Sequence, residues 1–370
     1  MSNKSPETLY QKTTAAAAKS HSIITIDILR AVAALGVLCY HQHLGLLLSK
    51  YSHLHFLKAI DVFGASYAVP LFFLLSGYCI HLSNIKYVKA NQSLPLKKYY
   101  LHRFLRIYPP YVIALFTAIL INYVLNMEAF PTFNDLCIHI FALQGFVASS
   151  FNTINVVLWT ISIELAFYFI YPVFYYLRLK YSLNLALLLT FIVSCISIAI
   201  TIISTNGRYN FPQKYFVLNI WFAWCCGAFL ADKKMLNSDD LRKPVYKIAY
   251  TFIVLCFWAC YKFYDQRFDV IYYQFSILIW TAPLVLLISQ EDWFKKHRNS
   301  TRLIAAIGLS SYSLYLLHEP FIYLKNFIAH QYFPAKYQLL VMCVGFVFIP
   351  VIAWFNYTLI EKPFMKLKRG

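Results

Sequence analysis

The sequence predicts an all-α polytopic membrane protein of about ten membrane-spanning helices, with cytoplasmic N- and C-termini and one short re-entrant or interfacial helix. Three observations carry this reading. Of 370 residues 60% are hydrophobic and only 13% charged, too apolar a balance for a water-soluble chain of this size. The apolar residues gather in runs of about 20, the length that spans a hydrocarbon core as a helix. The Lys and Arg residues fall between these runs and alternate in density from one connection to the next.

In order, the spans are 24–48, 60–84, 107–126, 156–178, 183–204, 215–231, 246–263, 271–289, 304–328 and 337–360. Residues 1–22 are polar and lead into the first run without the apolar core and cleavage site of a signal peptide, so they are expected to form a cytoplasmic tail ahead of a retained helix. Segment 131–148, "PTFNDLCIHIFALQGFVA", is shorter and more polar than its neighbours and is placed outside as the re-entrant or interfacial helix. Residues 23–361 then form one transmembrane domain, and 362–370 a basic cytoplasmic tail. The chain stops soon after its last span, so no extracytoplasmic soluble domain is expected.

With the N-terminus inside, 24 of the 33 Lys and Arg residues fall on the cytoplasmic side, 8 fall on the other, and Arg30 lies within the first span. This is the positive-inside bias. The outer eight are Lys50, Lys58, Arg208, Lys214, Lys262, Arg267, Lys325 and Lys336. A formal charge of +18 therefore reports topology; a nucleic-acid footprint would cluster on one soluble surface, and no nucleic acid is expected. The nine cysteines lie mostly in apolar segments without CxxC spacing, which implies neither a metal site nor a disulfide framework.

Against this background, ionisable groups inside spans are the chemistry-bearing exceptions, because each costs about 2.5–3.5 kcal/mol to insert. The first span, "TIDILRAVAALGVLCYHQH", carries Asp27, Arg30, His41 and His43. Arg30 is near enough to its start to snorkel to the headgroups; His41 is not. At about 100° per residue, Arg30 and His41 project from one face about 16 Å apart, and Asp27 shares the stripe. His43 points about 200° away from His41, toward a solvated role. The fourth span carries Glu164 about two turns below Trp159, an interface-type aromatic, and helix rise puts Glu164 and His41 at the same depth, roughly 10 Å below the outer surface. The ninth contributes "GLSSYSLYLLHEP", with His318 in its outer half and Tyr312 below. On the cytoplasmic side, "LKKYYLHRFLRIYPPY" sets Arg103 and Arg106 one turn apart at the mouth of the third span, a spacing suited either to an anionic phosphate or to lipid headgroups.

Six stretches, "IDILRAVAALGVLCYH", "PLFFLLSGYCIHLS", "RFLRIYPPY", "LWTISIELAFYFIYP", "SYSLYLLHEPF" and "IEKPF", occur in an order that resembles acyltransferase family 3, the bacterial inner-membrane O-acyltransferases. The resemblance covers residues 26 to 364, with Ala31 where the first motif commonly has Gly. It implies a ten-helix enzyme of the inner (cytoplasmic) membrane. Such an enzyme moves an acyl group, usually acetyl, from cytoplasmic acyl-CoA to a hydroxyl of an extracytoplasmic glycan such as lipopolysaccharide O-antigen or capsule.

The same resemblance implies the following roles. His41 is the catalytic histidine with Arg30 as its motif partner, Glu164 is the acidic residue of the fourth-span motif, and Asp27 stands in the same catalytic stripe. Arg103 and Arg106 contact the CoA phosphates, while Ser76 and Gly77 line the acyl path. His318, Tyr312 and Trp159 are expected at the acceptor. Acetyl-CoA is the co-substrate, no metal is implied, and the partners are membrane lipids and a surface or lipid-linked glycan. Longer relatives carry a fused SGNH-type esterase domain; here the acceptor is expected to be handled by the membrane domain itself or by a partner. Chemically, a neutral imidazole near pH 7 suits removal of a hydroxyl proton, and a carboxylate such as Glu164 would orient it. His41 acts either as that base or as a transiently acylated relay. The reading from another class is a transporter or glycan-export component whose Asp27, Arg30, His41 and Glu164 line a translocation or proton path. Succinyl-CoA in place of acetyl-CoA stays open.

Overall fold

All ten predicted spans are helical in the computed structural model, which describes residues 23–127, 130–236 and 243–367. The predicted tail 1–22 and the last three residues of the segment 362–370 lie outside the described residues. In chain order the helices are α1 (Ile24–His41), α2 (Leu44–Ser52), α3 (His55–Lys89), α4 (Leu96–Val124), α5 (Phe133–Ile140), α6 (Trp159–Lys180) and α7 (Leu183–Thr205). They continue as α8 (Val217–Leu236), α9 (Pro244–Lys262), α10 (Gln266–Ser289), α11 (Glu291–Lys296), α12 (Arg298–Leu309), α13 (Ser311–Tyr332) and α14 (Gln338–Asn356, carried on by further turns to Lys366).

Eight of these stretches are long and apolar enough to cross a membrane: α1, α3, α4, α6, α7, α9, α10 and Cys343–Lys366 of α14. The helices α8 and α13 are of similar length. Asp232, Lys233 and Lys234 in one, and His318, Glu319 and Lys325 in the other, lower their apolarity. Both bury most of one face inside the protein, so Asp232, His318 and Glu319 meet protein instead of lipid. The protein is thus an all-α polytopic membrane protein. Helix α5 is too short to cross and buries only His139, in keeping with its predicted non-spanning role.

Three boundaries depart from the sequence reading. The first span ends at His41 instead of residue 48: His43 takes a left-handed φ of 51°, and α2 sets off in a new direction. The ninth span is broken at Ser310 into α12 and α13. The third begins at Leu96, because Tyr99, Arg103 and Ile107 recur at helical spacing and face inward while Leu101 and Phe104 face out. Arg103 is therefore buried within a helix and not at its mouth.

Small residues let the central helices touch. A Cβ on Gly77 of α3 would stand 2.0 Å from the Trp224 carbonyl oxygen of α8, and one on Gly227 of α8 would stand 2.1 Å from the Leu74 carbonyl oxygen. Helix α1 meets α12 the same way: a Cβ on Gly308 would fall 1.8 Å from the Asp27 carbonyl oxygen. The Glu291 carboxylate of α11 caps the start of α1, accepting from the Ile24 and Thr25 amides at 2.9 and 3.0 Å. Helices α1, α3, α4, α6 and α13 surround one interior. Helix α9 has no buried residue and shows Ile248, Phe252 and Trp258 to the surroundings, as a lipid-facing helix does.

Candidate active site

The interior holds a cavity of about 100 Å3. Arg30 comes to it from α1, Ser76 and Cys79 from α3, Arg103 and Arg106 from α4, Glu164 and Tyr168 from α6, and Tyr312 and Tyr315 from α13. Apart from α1, each helix offers residues three or four apart, the stripe that one helical face presents. Glu164 is held by two hydroxyls. Its Oε1 accepts from the Ser76 hydroxyl at 2.7 Å and from the Tyr168 hydroxyl, and the Trp224 indole N–H donates to Ser76 Oγ at 3.0 Å. Arg103 and Arg106 lie within electrostatic reach of the same carboxylate.

A second, basic pocket adjoins the cavity and shares Arg103 and Arg106 with it, adding Lys86, Lys98 and His102. The two arginines therefore stand where a charged vestibule gives way to an apolar chamber. Arg103 donates to Ser83 Oγ and lies 5.6 and 5.7 Å from the ring centroids of Tyr99 and Tyr168, while its buried Nε has no hydrogen-bond partner among the described residues. A buried donor left over on a guanidinium, beside two lysines, fits an incoming phosphate.

His41 stands elsewhere, at the C-terminal end of α1. Its Nδ1 lies 2.7 Å from Glu319 Oε2, an ion-pair distance. The adjoining His318 packs edge-on to it with ring centroids 5.0 Å apart, and His318 Nδ1 bonds the Tyr315 carbonyl oxygen at 2.7 Å. Tyr315 closes the chain of contacts, because it lines the central cavity and accepts from Thr160 Oγ1 at 3.0 Å. On its far side His41 opens to a separate pocket with Gln42, His43, Lys50 and Lys325. The route thus runs from cavity to Tyr315, His318, His41 and the second pocket.

The donor atoms of His41, His318 and Glu319 lie within 4.8 Å of one another, a set able to ligate a metal. A tetrahedral ion with bonds of about 2.0–2.2 Å would hold its ligand atoms about 3.3 Å apart. The 2.7 Å approach of His41 to Glu319 is instead that of a directly paired imidazole and carboxylate. Pairing at Nδ1 leaves Nε2 as the basic nitrogen.

Of the residues singled out from the sequence, Arg30, Ser76, Arg103, Arg106, Glu164 and Tyr312 meet in the central cavity. Tyr312, expected at the acceptor, thus lies in the central cavity and not beside His41, and other residues also stand elsewhere than the sequence reading put them. Glu164 does not face His41, because α13 occupies that side of α1 and supplies Glu319. Gly77 does not line the acyl path; it seats the Trp224 backbone. Trp159 borders neither the cavity nor the His41 pocket, and stacks with Phe151 and Tyr215 at 5.2 and 4.4 Å. Asp27 is buried under α12 and lines neither space. His318 is fully buried behind His41. Glu319 was missed, although an acidic residue inside the motif "LYLLHEP" was itself the signal.

The sequence profile of an acyltransferase domain matches residues 23–357. The peptidoglycan O-acetyltransferase OatA of Listeria monocytogenes is 26% identical over 92% of this chain and 56% of its own length. YrhL of Bacillus subtilis, whose name as a peptidoglycan O-acetyltransferase is provisional, is 23% identical over 91% of this chain and 54% of its own. A provisionally named O-acetyltransferase of Staphylococcus aureus is 25% identical over 94% and 58%. The chain spans little more than half the length of these relatives. No solved structure matches it. Since the profile runs through nearly every spanning helix and takes in both cavities and the His41–Glu319 pair, the chain belongs to the acyltransferase-domain family of membrane proteins.

Proposed function

We propose that this protein is an acyl-CoA-dependent O-acyltransferase of the bacterial inner membrane, moving an acetyl group to a hydroxyl of an extracytoplasmic glycan. The observation that carries the reading is the route itself. A chamber with two arginines at its charged mouth leads to Tyr315, and His318 and the His41–Glu319 pair separate it from a second pocket. Donor and acceptor thus have separate entrances, on opposite sides of Tyr315 and His318.

The donor's phosphates stay with Lys86, Lys98, Arg103 and Arg106, since such charge does not enter an apolar chamber. Its uncharged pantetheine arm extends past Arg30 and Ser76 toward Tyr315. Transfer requires Tyr315 and His318 to part so that the thioester reaches the ring; His41 Nε2 then takes the acceptor hydroxyl proton, the oxygen attacks the thioester carbonyl carbon, and the carbon–sulfur bond breaks. The leaving thiolate of CoA recovers a proton from the imidazolium. Glu319 holds the ring and stabilises its charged form, the part the sequence reading gave to Glu164. The peptidoglycan O-acetyltransferase names among the relatives support a glycan acceptor, with peptidoglycan alongside O-antigen and capsule as its class. The acyltransferase-domain match over residues 23–357 favours this reading over the transporter one.

The test is turnover by the purified full chain in lipid nanodiscs. Acetyl-CoA consumption should require a glycan acceptor and should vanish in His41→Ala. Acceptor acetylation that continues in a well-folded His41→Ala protein would refute the assignment.

A further inference from the structure

We propose that the pocket beside His41 recognises an anionic group, a carboxylate or phosphate, carried by the acceptor glycan. This rests on the acyltransferase reading and extends it to the class of sugar taken. The walls include Gln42, His43, Lys50, Lys325 and Asn326, and no carboxylate is among them. The nearest acidic groups are engaged elsewhere. Glu319 pairs with His41, and Asp61 accepts from the Gly45 and Leu46 amides at 2.8 and 2.9 Å, which also satisfies the start of α2. Only eight Lys and Arg residues are expected on the outer side of the membrane, and two of them, Lys50 and Lys325, converge here.

The pocket is built, not an accident of surface charge. Lys325 Nζ donates to Gln42 Oε1 at 3.1 Å, which uses one of the three ammonium protons. Its stem lies over Gly345 of α14, where a Cβ would stand 2.4 Å from Lys325 Cδ and 3.5 Å from Gln42 Oε1. A Cβ there would push the lysine stem out of this position. Gln42 is 3% exposed, and its Nε2 is buried without a hydrogen-bond partner among the described residues. An orphaned amide N–H is costly to bury, and next to an ammonium it is a donor pair matched to an oxyanion. Because Gln42 follows His41 in the chain, an anion held there keeps its own sugar's hydroxyls at the imidazole.

The experiment measures binding to the detergent-purified full chain. The probes are an oligosaccharide of hexuronic acid, its carboxyl-reduced neutral counterpart, a phosphorylated sugar, and glycerol phosphate as a lipid-headgroup mimic. The wild-type protein should bind the uronic or the phosphorylated sugar at least about tenfold more tightly than the neutral one. Lys325→Gln and Gly345→Ala should abolish that ratio while leaving affinity for the neutral sugar in place. Lys50→Gln, on an exposed side chain that cannot disturb packing, should reduce it about threefold. Equal binding of acidic and neutral sugars overturns the proposal, as does a ratio unchanged in Lys325→Gln and Lys50→Gln. Tightest binding of glycerol phosphate overturns it too, by assigning the pocket to a lipid headgroup. Acetyl-CoA consumption followed on the same samples separates the two ideas: its absence with every acceptor defeats the enzymatic reading, while the charge preference is still read from binding.

Discussion

Glu319 Oε2 lies 2.7 Å from His41 Nδ1, whereas Glu164, the carboxylate that helix depth matched to His41, bonds Ser76 and Tyr168 in another chamber. On the proposed mechanism the two acids serve different steps. Glu319→Gln should lower kcat by about 10²- to 10⁴-fold with little change in either KM, as expected when a base loses its orienting partner. Glu164→Gln should act mainly on the donor KM. Steady-state kinetics that reverse this split would transfer the orienting role back to Glu164.

Arg103 and Arg106 stand at the junction of the charged vestibule and the chamber. Each charge-assisted hydrogen bond contributes about 1.5–3 kcal/mol, so Arg103→Gln with Arg106→Gln should raise the KM for acetyl-CoA about 100-fold. An acetyl-pantetheine donor lacking the nucleotide phosphates should be affected far less. Equal losses with both donors would mean that the arginines do not read phosphate.

Tyr315 forms the wall between the chamber and His318, secured by Thr160 at 3.0 Å. Replacing it by Ala should open the thioester to water entering from the His41 pocket. The measurement is CoA release without acceptor, expected to rise in Tyr315→Ala and to change little in Tyr315→Phe. A Tyr315→Ala protein as tight as wild type would place the barrier elsewhere.

Gly77 packs on the Trp224 carbonyl oxygen with no space for a methyl group. Gly77→Ala should destabilise the α3–α8 contact by about 1–3 kcal/mol and lower the Tm, while folded protein keeps its donor KM. A donor KM that rises with an unchanged Tm would restore Gly77 to the acyl path.

Helix positions were legible because they rest on local properties. A run such as 183–204 must be helical and lipid-compatible whatever surrounds it, and α7 occupies Leu183–Thr205. Arg30, His41, Glu164 and the Arg103/Arg106 pair stood out for the same local reason, the cost of charge inside an apolar run. The break at His43 was hidden, because the aliphatic residues of Leu44–Ser52 continue the apolar pattern while the left-handed turn redirects the chain. The burial of Arg103 was hidden by the basic residues around it, which read as a surface segment.

The sequence by itself determined where the apolar runs lie, their order, and which of them carry charge, since apolar length and ionisable groups inside a run are properties of each segment alone. Only the tertiary structure decided that His41 meets Glu319 and that Glu164 meets Ser76. Rise per residue ranks groups along an axis, whereas partnership depends on which helices are neighbours and how each is rotated. That was settled by backbone approaches such as Gly77 to Trp224 and Gly308 to Asp27, which set the bundle's cross-section.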